Sequence, residues 1–188
     1  MDDPEVDADP SRAAQRQDRR LWADLLRRAR RDQELRRRLS AAPAADDPDL
    51  SAELTAMGAD NSDWLAAVVA RSGWPGRSRV GEDGAMAAWL LAQHAEPQVQ
   101  RRLLTALQEA VAAGEATPAQ AAYLEDRVRV GQGLPQRYGT QFHQQAGGRA
   151  EPAEIEDPEQ LDARRAAMGL GPFAAHRARP GPAASRRG

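Results

Sequence analysis

The chain has 188 residues, 41% of them hydrophobic, and a net charge of −2, the size and balance of one globular domain. It has no cysteine and no lysine, which removes disulfides, thiolate metal sites, cysteine nucleophiles, Schiff bases and the phosphate-binding lysine of a P-loop. No apolar run approaches the ~18 residues of a membrane span, and the near-neutral charge exerts no global pull toward nucleic acid or an anionic membrane.

Residues 1–10 are acidic, contain proline and lack periodicity, so disorder is expected there. The opening MDDPEVDADP also lacks the basic-then-apolar order of a secretory leader, which points to a cytoplasmic location. From Ser11 to about Leu39, Leu21, Trp22, Leu25, Leu26, Leu35 and Leu39 recur at helical spacing and predict a long helix. Residues 11–40 of this helix hold 11 arginines against 4 acids. Every basic residue of the chain is arginine, a bias that goes with 39 alanines and suggests a GC-rich, actinobacterial-type coding sequence. A solvated amphipathic helix therefore accounts for the arginines, and nucleic acid is not the expected partner.

Ser40–Asp49 predicts a loop and Ser51–Met57 a short helix. Asp60 or Asn61 then reads as the cap of a helix running to about Ser72, with Trp64, Leu65, Val68 and Val69 facing inward. Gly73-Trp74-Pro75-Gly76 breaks the chain. Glu82 to His94 predicts the next helix, with Met86, Trp89 and Leu90 on its apolar face. Pro97 opens another, lined by Leu103, Leu104, Leu107 and Val111 and ended by Gly114. Thr117-Pro118-Ala119-Gln120 has the pattern of a capping box with proline at the first helical position. It starts a helix bearing Tyr123, Leu124, Val128 and Val130. Residues 131–156 are rich in Gly and Gln, aperiodic, and contain the kernel PQRYGTQFH. A last helix is expected from Asp157-Pro158 to Gly169, and residues 177–188 form a basic Pro/Gly/Ala tail expected to be disordered. The expectation is an all-α domain over residues 11–172, of five to seven helices, with one long irregular Gly/Gln-rich loop.

One set of short motifs lies in order along the chain: Gly73-Trp74-Pro75, Val80-Gly81, Ala88-Trp89, Gln93-His94-Ala95, Gln100, Ala122-Tyr123-Leu124, Asp126-Arg127-Val128, Gly133, Gln136, Tyr138-Gly139-Thr140-Gln141, and Asp162 with Arg164-Arg165. In this the chain resembles a bacterial, actinobacterial-type family of unknown function, over roughly residues 60–170. The resemblance implies no activity. It implies that polar motif residues, and not the core alone, define the family.

Those residues supply the candidate site. His94 can serve as general acid, general base or metal ligand. Asp126 could orient it, and Arg127 could clamp a carboxylate or phosphate bidentately. Gln93, Gln136, Tyr138, Thr140 and Gln141 offer substrate contacts, the last three on a glycine-containing loop. Each residue also has a plain structural reading. His94 could favour a helix C-terminus, Asp126 and Arg127 could pair, and the loop side chains could satisfy buried backbone groups. Glu82, Asp83, His94, Asp126 and His143 are possible metal ligands, but no HExxH or Glu-x-x-His spacing joins them, so no metal site is expected. No G-x-S-x-G supports a serine nucleophile, Ser72 and Ser78 lying in a chain break, and no cofactor motif is visible. The expected function is a small cytosolic ligand-binding domain or metal-independent enzyme of hydrolysis or group transfer, acting on a small molecule or peptide. The alternative is a non-catalytic interaction, immunity or regulatory module in which the same residues are structural. An open pocket around His94 would favour the first reading.

Overall fold

Proline sets the start of half of the elements in a computed structural model, which describes residues 10–41, 47–144 and 150–178. Helix α1 spans Pro10–Ala41, α2 Pro48–Ser72, α3 Arg77–His94, α4 Pro97–Ala112 and α5 Pro118–Gly131. A two-stranded antiparallel hairpin follows, β1 Phe142–Gln144 and β2 Ala150–Pro152, with His143 opposite Glu151. A 3-10 turn at Pro158–Gln160 leads into α6, Leu161–Ala167, and α7 covers Phe173–Arg177. Proline fits these first turns because the N–H it lacks would have no intrahelical partner. The fold is all-α.

Helix α3 is the hub, packed against α1, α2, α4 and α5. Its buried face is mostly small: Gly84, Ala85, Ala87, Ala88 and Ala92, with Val80 and Leu91. A Cβ on Gly84 would lie 3.0 Å from Trp22 of α1. The small face lets α1 approach closely, and Leu21, Leu25 and Ala29 of α1 close over it. Leu65 and Val68 of α2, Leu103 and Leu107 of α4, and Leu124 of α5 complete the core.

Three expectations change here. Ser51–Met57 and the helix after Asn61 are one continuous α2, because the would-be caps are occupied from outside. The Arg28 guanidinium donates to both Asp60 and Asn61. Met86 is 52% exposed and Trp22 40% exposed, since α3 turns its small residues inward rather than its large ones. The tip of the expected irregular loop is the β1–β2 hairpin. Before it, Gln136 forms a parallel bridge with Ile155.

Other expectations are met. Gly81, with φ 69°, breaks α3 so that its regular part starts at Glu82. At α5 the Thr117 hydroxyl accepts from the Gln120 backbone N–H and the Gln120 side-chain Oε1 accepts from the Thr117 N–H, a complete capping box. Thr117→Ala is expected to cost about 1 kcal/mol in urea denaturation. The expected tails at 1–10 and 177–188 fall mostly outside the described residues. α7, however, continues past residue 172, and Phe173 stacks on Phe142 with ring centroids 6.4 Å apart. No helix among the described residues is long and apolar enough to cross a membrane.

Candidate functional site

The end of α3 is built to present His94. Ala95 turns out of the helix into extended backbone. Gln100 of α4 donates its amide to the Ala92 and Gln93 carbonyls at the helix end, where the Ala92 carbonyl also takes the Ala95 N–H. The Ser62 hydroxyl accepts from the Glu96 N–H and ties the turn to α2. His94 is thereby fixed at a cleft of about 430 Å³. The cleft is lined by Arg36 of α1, Gln93, His94, Gln100, Arg127 of α5, and Gln141, Phe142 and His143 of the loop and hairpin.

The carboxylate that meets His94 is Asp32, not Asp126. Asp32 has no exposed surface, and its Oδ2 lies 2.5 Å from His94 Nδ1. Arg36, one helical turn on, donates its Nε to both Asp32 oxygens at 3.1 and 3.2 Å. Burial alone would raise the Asp32 pKa. The hydrogen bond and charge of His94, together with Arg36, outweigh it and hold the carboxyl below the usual range. An ionised carboxylate can only accept, so Nδ1 carries the proton and donates it to Asp32. Nε2, the other ring nitrogen, makes no bond to the described residues, and His94 faces the cleft.

Asp126 lies on a different side of α5 and does a different job. It has no exposed surface and accepts the backbone N–H groups of Arg137, Tyr138 and Thr140 and the Thr140 hydroxyl, at 2.6–3.1 Å. Burial pushes its pKa up against the pull of these donors. The expected pairing with His94 or with Arg127 does not form. Asp126 organises the loop.

The loop residues divide in the same way. Gln136, with no exposure, donates its amide to the Gln141 and Ala153 carbonyls and accepts from the Gln141 N–H. The Tyr138 carbonyl takes the Arg165 guanidinium of α6, while Arg164 binds the Arg137 carbonyl. Gln136, Tyr138 and Thr140, expected as substrate contacts, are buried loop supports that do not line the cleft. Gln141 does line it.

Arg127 also reaches the cleft. Its Nε donates to Gln93 Oε1 at 3.1 Å, and no carboxylate among the described residues lies within ion-pair distance of it. Burial, and then the nearby Arg36 charge, push its pKa below the usual arginine value. Gln93 is 4% exposed, and its Nε2 has no hydrogen-bond partner among the described residues. Of the expected site residues the structure therefore brings together Gln93, His94, Arg127 and Gln141.

Asp32 and Arg36 were hidden inside the arginine-rich helix. One signal marked Asp32: it falls seven residues after Leu25 on the apolar stripe, a charged residue at a core register. No three His, Asp or Glu side chains among the described residues converge in a metal-binding group.

No curated protein and no solved structure matched the chain. A family model does match, over residues 19–178, a span that contains the cleft from Arg36 to His143. With its all-α core and this cleft, the chain belongs to the family of unknown function DUF6624.

Proposed function

We propose that the cleft is the acid–base site of a small-molecule enzyme, with His94 as the proton-transferring group and Asp32 as the carboxylate that orients it. The observation that carries this reading is the 2.5 Å hydrogen bond from His94 Nδ1 to a fully buried carboxylate, made beside an open cleft. With the Nδ1 proton held on Asp32, the lone pair of Nε2 is available to the cleft, and Asp32 stabilises the imidazolium that forms when Nε2 takes a proton. The reaction class this fits is hydrolysis or group transfer. Nε2 accepts the proton of a water or substrate hydroxyl as that oxygen bonds the electrophilic centre. The imidazolium then returns the proton to the departing group. Arg127, Gln93 and Gln141 serve as substrate contacts from the cleft wall.

An interaction module would need the same residues to close on one another. Instead Arg127 has no acidic partner among the described residues and the cleft is open, which supports the enzymatic reading over the structural one. The arginine and alanine bias supports an actinobacterial source, and a cysteine-free enzyme of small molecules fits the cytoplasm.

The test is untargeted turnover. The purified chain is incubated with a bacterial metabolite extract and depletion is followed by mass spectrometry. At least one metabolite is expected to disappear. His94→Gln is expected to slow that loss by about 10²–10⁴-fold while keeping its circular dichroism. Absence of depletion by the parent, or an unchanged rate in His94→Gln, would overturn the reading.

A further inference from the structure

The cleft has a charge problem that the protein leaves unsolved. Among its lining residues are two arginines, two histidines and three glutamines, but no aspartate or glutamate. Asp32, buried behind the wall, is already committed. Its Oδ2 takes both His94 and Arg36, and its Oδ1 takes Arg36. One negative charge is thus shared between Arg36 and the imidazole, and nothing remains for Arg127.

Arg127 spends only its Nε, on the neutral Gln93 amide. Its two terminal nitrogens, the fork that guanidinium uses to grip an oxyanion, make no bond to the described residues. A half-buried cation beside a second cation is unfavourable unless an anion joins them. The neighbouring Gln93, nine-tenths buried and more, holds an amide N–H with no acceptor among the described residues. Donors in excess, no carboxylate in the lining and an uncompensated guanidinium all describe an anion site whose anion is the ligand.

The charge and oxygen count choose the anion. Asp32 offsets Arg36, so the wall carries one net positive charge with both lining histidines neutral and two when His94 alone is an imidazolium. A carboxylate brings one charge and two oxygens. A phosphate monoester brings about −1.5 to −2 charges at pH 7 and three terminal oxygens. We infer that the ligand of this cleft is a phosphorylated small molecule whose phosphoryl group sits between Arg127 and Arg36, beside His94. This assignment rests on the cleft being the ligand site, and it adds the substrate class.

Inorganic phosphate is the probe. It is titrated at constant ionic strength, balanced with chloride, and read by 31P NMR line broadening and by thermal melting, with acetate as the carboxylate arm. The folded parent is expected to broaden the phosphate resonance saturably and to melt higher in phosphate than in acetate. Arg127→Gln is expected to weaken phosphate binding at least tenfold, since about 1.4 kcal/mol corresponds to a factor of ten. Arg127→Lys, which keeps the charge without the fork, should recover part of that loss. Arg20→Gln, an exposed arginine of α1 outside the cleft, should bind as the parent does.

Because Arg127 has no ionic partner to strand, Arg127→Gln should fold, and its circular dichroism checks this. Equal weakening in Arg20→Gln would reduce the effect to general surface charge and overturn the inference. Acetate binding as tightly as phosphate would overturn it too, as would a folded parent that binds no phosphate. The turnover comparison of His94→Gln is read independently. Its success alongside any of these results would sink the phosphoryl assignment and leave the acid–base site standing.

Discussion

Asp126→Ala is expected to cost about 3–9 kcal/mol, at about 1–3 kcal/mol for each of the three backbone N–H groups it strands. Those groups belong to Arg137, Tyr138 and Thr140. Their segment has little regular structure of its own, so the carboxylate stands in for the missing ladder of hydrogen bonds. The loss is a large share of the stability of an ordinary domain, roughly 5–15 kcal/mol. Urea denaturation gives the size, and amide hydrogen exchange at Arg137, Tyr138 and Thr140 gives the place. Asp126→Asn should fall between parent and alanine, because one acceptor oxygen survives while the new amide opposes the Thr140 N–H. A cost below about 1 kcal/mol for Asp126→Ala, small against the estimate from its stranded donors, would mean that the loop holds itself without α5.

Asp32→Ala is the second large effect, expected at about 3–5 kcal/mol, the usual cost of removing one member of a buried ion pair. It leaves both Arg36 and His94 without their shared acceptor. The effect depends on pH with a definite sign. The Asp32 carboxyl is held below its ordinary value in the folded chain. It therefore contributes stability that is fully present above its unfolded pKa of about 3.9 and is lost as pH falls through the lower folded value. The stability gap between parent and Asp32→Asn should close as pH falls below about 4. A gap that persists there would place the ionic pairing elsewhere.

Local chemistry was the most legible part of the sequence. The Thr117–Gln120 capping box is complete within four residues, and Gly81 and Gly114 mark breaks by a positive φ that other residues rarely adopt. What could not be read locally was decided at long range. Asp60 and Asn61 look like caps until Arg28, more than thirty residues earlier, takes their oxygens and α2 runs straight through. Met86 looks like core because it is large. The close approach of α1 makes alanine and glycine the right size for that face instead, and Met86 turns outward.

The site followed the same division. Gln93, His94, Arg127 and Gln141 were found as a motif set and do share the cleft. Asp126, Gln136, Tyr138 and Thr140 belong to the same motifs but hold the loop that brings Gln141 to the wall. A spacing pattern does not separate the residue that faces a ligand from the residue that supports it. The partner of His94 is 62 positions away, in a helix whose arginines drew attention to solvent rather than to the one acid on its apolar stripe.

The tautomer of His94 tests the account most directly, because the acid–base role depends on which ring nitrogen holds the proton. In the chain labelled with 15N-histidine, long-range 1H–15N correlation is expected to show the neutral His94 ring with its proton on Nδ1 and an unprotonated Nε2, and this preference should disappear in Asp32→Ala, which leaves Nδ1 no oxygen at that position. A His94 protonated on Nε2 alone, or a tautomer unchanged by the loss of the Asp32 carboxylate, would contradict it.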